Sequence, residues 1–262
     1  MDISTLSANI RDLTQILSNA GAATLEHFRS TLTIENKADP GNFDPVTQAD
    51  KQAEMLIREG LTEKFPNHSI VGEEFGGEIG GGPTWIIDPI DGTRSFMSGM
   101  LHWGILLGFY DEGEPQFGAM YQPFTDELFW GDNSSAHYQR GDLARELHVS
   151  GCEGLEMATL AATGPDMFSE AELPRFEAVQ RAARQVRFGG DCYLYSLIAM
   201  GQIDLGVEAS LQPYDIAALI PIIQGAGGMV TNWSGESAAM GGQILAAGDA
   251  RVHAQALEIL NQ

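Results

Sequence analysis

The chain has 262 residues, with 14 basic side chains against 36 acidic ones and a net charge of −22 at pH 7. That balance excludes nucleic acid and anionic membranes held by basic patches as partners. A hydrophobic fraction of 44% with only 19% charged residues excludes a disordered acidic chain. Leu6, Ile10, Leu13, Leu17, Ala20 and Thr24 recur at 3–4 spacing, which predicts an amphipathic helix over residues 4–28. The stretch NKADPGNF (36–43) reads as a loop. Thr47 and Asp50 have capping-box spacing before a second helix, with Ala53, Leu56, Ile57 and Leu61 on one face, ending near Pro66.

Residues 76–83 (GGEIGGGP) hold five glycines and read as the most flexible stretch. The apolar run at 85–87 predicts a buried strand. Residues 103–110 and 116–122 predict a hairpin around DEGEP, and 128–130 the next strand of a meander. The polar stretch 141–154 marks a change of pattern. It divides the chain into an N-terminal α+β subdomain (1–145) and a C-terminal α/β subdomain (146–262). In the second, strands are expected at 158–162, 186–188, 203–207 and 229–231. Helices are expected at 171–184, 194–200, 216–224 and 252–260. Pro221 allows the third of these only with a kink or a late start.

Cys152 and Cys192 are too few for a disulfide framework and offer no zinc pair. The N-terminus lacks a basic and an apolar signal region, and no 18-residue apolar run occurs, so a cytoplasmic protein is expected.

Residues 71–95 carry Glu73, Glu74, Glu78, Asp88 and Asp91, with no Lys or Arg before Arg94. Carboxylates crowded at a strand end repel one another unless a cation lies between them. Oxygen donors without clustered His or Cys suit Mg²⁺. The Asp91-Gly92-Thr93 turn that follows could present the amides of Gly92, Thr93 and Arg94 to phosphate oxygens. D-G-T alone is also an ordinary turn. Metal plus exposed amides describes a site for phosphoryl transfer or hydrolysis. No Walker A or kinase signature is present.

VGEE (71–74), WIIDPIDGT (85–93), YDIAAL (214–219) with GAGG (225–228), and DPVTQAD (44–50) together resemble the inositol monophosphatase superfamily. Their order and spacing hold over nearly the whole chain. The resemblance implies a layered αβαβα sandwich and a Mg²⁺-dependent phosphomonoesterase using two or more ions. It implies metal ligands Glu73, Asp88, Asp91, Asp215 and the carbonyl of Ile90. Glu73, Thr93 and Asp91 would be the catalytic residues, with Glu73 and Thr93 orienting the attacking water. Asp50 matches an acid near the metals, and its capping role could coexist with that one. Glu74 reads as a neighbour of the site or an exposed acid, and Glu78 as a solvated one. Tyr214 stands where the family usually has Trp.

Within the superfamily, RFGGDCY (187–193), the Tyr121-Gln122-Pro123 segment and ELFWG (127–131) resemble the histidinol-phosphate phosphatase branch. Asp191 replaces the small hydroxyl residue usual in inositol phosphatases, and a carboxylate suits a cationic alcohol. Asp191 could equally cap a helix at 193–200. Glu208 has the spacing of a substrate-contacting acid, and Gly92, Thr93 and Arg187 complete the expected substrate contacts. The substrate expected is a small phosphate monoester, histidinol phosphate before inositol 1-phosphate, with a homodimer as the family's usual state. A metal-binding regulatory protein without turnover is the alternative from another class. His102, His137, His148 and His253 read as structural or exposed, Trp103 and Trp130 as core, and Cys192 as a small buried residue.

Overall fold

The computed structural model describes residues 10–31, 34–36 and 45–262. Helices α1 (Ile10–His27) and α2 (Gln48–Lys64) pack on one face of a seven-stranded sheet. Its strands run in chain order: β3 (Ser69–Gly72), β4 (Thr84–Asp91), β5 (Gly104–Asp111), β6 (Glu114–Gln122), β7 (Glu127–Gly131), β8 (Ala136–Arg140) and β9 (Leu143–Glu146). β3 and β4 are parallel, and every later pair is antiparallel. β1 (Ile34–Asn36) and β2 (Pro45–Thr47) form a separate ribbon.

The period-2 alternation of the central strands sorts their apolar residues to two faces. Trp85, Ile87, Ile105, Leu107 and Phe109 meet α1 and α2. Leu106, Met120 and Phe129 meet a middle layer of α5 (Asp191–Ala199) and α7 (Leu219–Gly225). Ala161, Ile244 and Ala246 close that layer from the far side. They belong to a five-stranded sheet of β10 (Thr159–Ala162), β11 (Gln185–Phe188), β12 (Leu205–Leu211), β13 (Met229–Thr231) and β14 (Gly242–Ala247), in the order β11-β10-β12-β14-β13. Leu160, Leu205, Val207, Leu245 and Ala247 on its outer face pack against α4 (Leu173–Ala182) and α8 (Ala250–Leu260). The layers are therefore αβαβα.

Two glycines set the middle layer close to the first sheet. Gly108 and Gly118 are cross-strand partners. A Cβ at Gly108 would lie 2.7 Å from Ala217 Cβ, and one at Gly118 would strike the Ala218 carbonyl. The backbone just after α6 (Pro213–Ile216) thus rests directly on β5 and β6. α6 carries Asp215, so this contact sets its position.

Several element bounds differ from the sequence expectation. Helix α1 is described from Ile10, and residues 37–44 of the expected loop and 4–9 of the expected helix lie outside the described residues. β4 extends beyond its apolar run to Asp91. The expected helix at 216–224 is two helices, α6 and α7, and Pro221 falls in the first turn of α7, where its missing N–H costs no helix bond. α5 starts at Asp191, three residues before the expected 194, and the strand expected at 203–207 is Leu205–Leu211. β3, β8, β9 and β14 were not expected. β9 is exposed throughout, so no apolar alternation marks it. No helix among the described residues is long and apolar enough to cross a membrane.

Candidate active site

β4 delivers two acids to one place by means of a bulge. Asp88 pairs with Leu106 and Asp91 with Gly104, so three steps on β4 match two on β5. In a regular strand, residues 88 and 91 would point to opposite faces; the extra residue re-aims them. The Ile90 N–H donates to Asp88 Oδ1 at 3.0 Å, and Thr93 Oγ1 donates to the Ile90 carbonyl at 3.1 Å. Gly92 has φ +85°, and a Cβ there would lie 2.7 Å from the His102 carbonyl, so the turn into α3 (Thr93–Met97) requires glycine. Asp215 sits in the first turn of α6, where its Oδ2 accepts from the Gln212 N–H at 2.7 Å. Carboxylate oxygens of Asp88, Asp91 and Asp215 lie within 4.8 Å of one another.

These acids are held against their own charge. Burial, then Glu73, Asp91, Asp215 and Asp50, push the Asp88 carboxyl well above the usual range. Burial, then Asp215 and Asp191, do the same to Asp91, although the Cys192 N–H donates to it at 2.8 Å. Asp215 is pushed up to about 7, mainly by burial, with Glu73 and Glu208 adding repulsion. Asp50, 1% exposed, is raised to about 6 by burial despite donors from Thr47. Its Oδ2 accepts from the Thr47 N–H at 2.8 Å and from Thr47 Oγ1 at 2.6 Å, which is the capping box. Its Oδ1 is buried with no hydrogen-bond partner among the described residues.

A cavity of about 240 Å³ opens beside the cluster, lined by Asp91, Gly92, Asp191, Tyr195, Glu208 and Asp215 among others. Asp191 opens α5 but does not cap it; the cap is Gly190, with no side-chain bond. Asp191 instead accepts from Ser95 Oγ at 2.6 Å, from φ +42°, an uncommon conformation for a residue with a Cβ. Burial raises its pKa. Glu208 is 2% exposed, accepts from the Thr163 N–H (2.6 Å) and Tyr195 OH (2.8 Å), and is pushed up to about 7 by burial.

The inositol monophosphatase family's sequence profile matches residues 8–262. The chain belongs to the inositol monophosphatase family. The bifunctional phosphatase IMPL2 of Arabidopsis thaliana is 35% identical over 253 residues, covering 92% of this chain and 71% of that protein. A histidinol-phosphatase of Chlorobaculum parvum is 34% identical over 234 residues, covering 88% of each chain. The structure of an inositol monophosphatase from Zymomonas mobilis superposes with a TM-score of 0.86 at 33% identity, covering 98% of each chain.

The family's divalent cation fits the residues present. The donor set is oxygen only, the three clustered carboxylates resist ionising together, and Asp50 Oδ1 is a buried acceptor without a donor among the described residues. A hard cation satisfies all three conditions. Glu73, directly after β3, and Glu74 are half-buried, and Glu73 is near enough to raise both Asp88 and Asp215. Glu78 is exposed. Arg187 is not brought to these acids. It is exposed on β11 and lines a separate cavity of about 430 Å³ with His102, Phe188 and Tyr193. Arg94 is exposed and pairs with Asp166 at 3.0 Å.

Trp103 is fully buried, Trp130 half-buried against the core, and Cys192 buried. His253 is buried against Thr231, His137 stacks on Trp130, and His148 is exposed. His102 is half-buried, with Nδ1 unpartnered among the described residues. Two residues were missed in the sequence. Glu54 is fully buried beneath the Glu73 loop, and Ser95 holds Asp191. Glu54 carried a signal: it shares a helical face with Asp50, Ile57 and Leu61, where an acid is out of place.

Proposed function

We propose that the chain is a Mg²⁺-dependent phosphomonoesterase, using two or more ions, whose preferred substrate is L-histidinol phosphate. The observation that carries the hydrolase reading is the close grouping of Asp88, buried, with Asp91 and Asp215, half-buried, all mutually repelling. Glu73, Asp88, the Ile90 carbonyl, Asp91 and Asp215 would hold the cations. When bound, these supply charge stabilisation for phosphoryl oxygens and acidify a coordinated water.

The protein's own groups do the rest. The Thr93 hydroxyl spends its proton on the Ile90 carbonyl, so its oxygen is left to accept from a water that Glu73 also orients. Gly92, in its left-handed turn, lets the backbone approach the phosphate closely. Cys192 is no nucleophile here, because burial and the adjacent acids raise its thiol well above its ordinary value.

Asp191 supports the choice of alcohol. One of its oxygens takes the Ser95 hydroxyl, leaving the other for an ammonium group in the cavity that Asp191 lines together with Asp91 and Asp215. Glu208 has both oxygens occupied and shapes the cavity wall. The likeness to the Zymomonas mobilis inositol monophosphatase favours a second reading, inositol 1-phosphate. A cytoplasmic homodimer goes with either reading. A regulatory protein without turnover fits less well, since the acid set is intact.

Hydrolysis of the two esters with Mg²⁺ separates these readings. Histidinol phosphate is expected to have the higher kcat/KM. A tenfold preference for the inositol ester, about 1.4 kcal/mol, overturns the substrate choice. Asp191→Ala should harm histidinol phosphate more than inositol 1-phosphate, and equal losses would refute the ammonium contact.

A further inference from the structure

The loop that carries Glu73 has a complete account of its backbone donors. The Glu73 N–H donates to the Ile87 carbonyl at 3.2 Å, continuing the β3–β4 pairing. Gly72 and Gly76 close the loop by exchanging N–H bonds of 3.1 and 3.0 Å. The other two amides between them, of Glu74 and Phe75, have no backbone acceptor among the described residues. The Glu74 N–H donates to Glu54 Oε2 at 2.7 Å, and the Phe75 N–H to Glu54 Oε1 at 3.3 Å. Glu54 comes from α2, a different element, and its side chain is fully buried.

A buried carboxylate is costly unless its charge is met. Arg58, one turn further along α2, meets it through Nε at 2.7 Å. The same guanidinium donates from Nη2 to the Gly76 carbonyl at 2.6 Å and lies 6.0 Å from the centre of the Phe75 ring. Glu54 and Arg58 therefore grip both the amide and the carbonyl side of one short loop. Gly72 is part of the same fit, because a Cβ there would collide with the Glu54 carboxylate. The spacing 54–58 puts both side chains on one helical face, so the grip needs no other part of the fold.

We infer that Glu54 and Arg58 form a latch that fixes the 72–76 loop and thereby positions Glu73 for the cation and the attacking water. The inference rests on the reading of Glu73 as a metal ligand. Neither residue touches substrate; both are positioning residues. Their contribution is rotational: with the latch intact, Glu73 enters the site with its backbone already ordered, so binding a cation costs less conformational entropy.

The test is direct cation binding to the full chain without substrate. Mn²⁺ is titrated by electron paramagnetic resonance and Mg²⁺ by calorimetry, beside thermal unfolding of the metal-free protein. Glu54→Gln retains the shape but sets an NH₂ against a backbone donor. It should weaken cation affinity by about 10- to 100-fold, the usual effect of losing a group that orients a ligand. Arg58→Lys, which keeps a positive charge beside Glu54 but loses the fork that also reaches the Gly76 carbonyl, should weaken affinity with little change in metal-free Tm, whereas Arg58→Ala leaves the buried Glu54 carboxylate uncompensated and should lower both. Turnover at saturating Mg²⁺ should recover more fully in Arg58→Lys than turnover at limiting Mg²⁺. If the wild-type chain binds neither ion, the metal reading of the site fails. If the wild type binds and Glu54→Gln and Arg58→Lys bind as well as it does, the latch is refuted. If affinity in Arg58→Lys falls only in step with metal-free Tm, the pair is merely structural and the inference is also overturned.

Discussion

Asp88 and Glu127 are both carboxylates on the seven-stranded sheet, and they are held in opposite ways. Glu127 opens β7 and collects hydroxyl donors: Thr125 Oγ1 and Tyr193 OH on Oε2, each at 2.6 Å, and Tyr138 OH on Oε1 at 2.8 Å. Burial pushes its pKa up, but those donors more than reverse it and hold the carboxyl below its ordinary value. Asp88 has one backbone donor and a ring of acids, and is driven the other way. The difference separates two uses of a carboxylate on one sheet, Asp88 buried and Glu127 half-buried. Glu127, complete within the protein, ties α5 to the β7–β8 hairpin through Tyr193. Asp88 is completed only by something with positive charge.

The largest test of this contrast is Asp88→Asn. Turnover should fall by about 10²- to 10³-fold or more, because a bound cation contributes several kcal/mol to the transition state and 1.36 kcal/mol is a factor of ten. The metal-free protein should melt no lower than wild type, since a repelling charge has gone. A large drop in metal-free Tm with unchanged cation affinity would place Asp88 with Glu127 as a structural group.

Glu127→Gln should show the reverse pattern. Each charged hydrogen bond lost costs about 1.5–3 kcal/mol. In a chain of this size that lowers Tm by about 2–4 °C per kcal/mol. Cation affinity, measured by Mn²⁺ titration, should stay within about threefold of wild type, the scatter of ordinary substitutions away from a site. A tenfold loss of affinity would show that the Glu127 network reaches the metal cluster through α5.

The two regions also have opposite signs in pH. Asp50, Asp215 and Glu208 are raised to about 6, 7 and 7 from ordinary values of 3.8, 3.8 and 4.5. The folded state then binds more protons than the unfolded one, so their contribution is full below about pH 4 and is lost as pH rises to about 7. Glu127, lowered, contributes above its ordinary value of 4.5 and is lost as pH falls. Metal-free Tm should therefore decline between about pH 5 and 7, and millimolar Mg²⁺ should flatten the decline by replacing protons with a cation. Differential scanning fluorimetry with and without chelator reads this directly. A metal-free Tm that climbs across that interval would contradict the crowding of the acids.

Much of the acidic cluster was legible because its parts are local. Asp88, Ile90, Asp91, Gly92 and Thr93 lie in six residues, and the resemblance supplied Glu73 and Asp215. The period-2 and 3.6 patterns gave both helices over the first sheet and its central strands. What escaped depends on partners distant in sequence. Glu54 gains its role from the amides of Glu74 and Phe75, 20 and 21 residues away. Ser95 meets Asp191 across 96 residues. Exposed β9 has no pattern to read, and the start of α5 was hidden because Asp191 adopts a positive φ that its residue type rarely takes.

Arg187 gives the smallest expected effect and the sharpest limit on the site. Its neighbours in sequence suggested a substrate contact, since RFGGDCY runs straight into Asp191. β11 is an edge strand, however, and Arg187 stands exposed on it. The cavity it shares with Tyr193 and Leu197 is distinct from that of Asp191, Cys192 and Tyr195. The two sets of α5 positions differ in the way that opposite faces of a helix do. Arg187→Ala should thus behave as an exposed substitution, within about 0.5 kcal/mol, and change kcat/KM by no more than about two- to threefold. A tenfold rise in KM for histidinol phosphate alone would mean that the substrate reaches around α5 into the larger cavity. The organic end of the site would then be drawn around Tyr193 and His102 and not around Asp191.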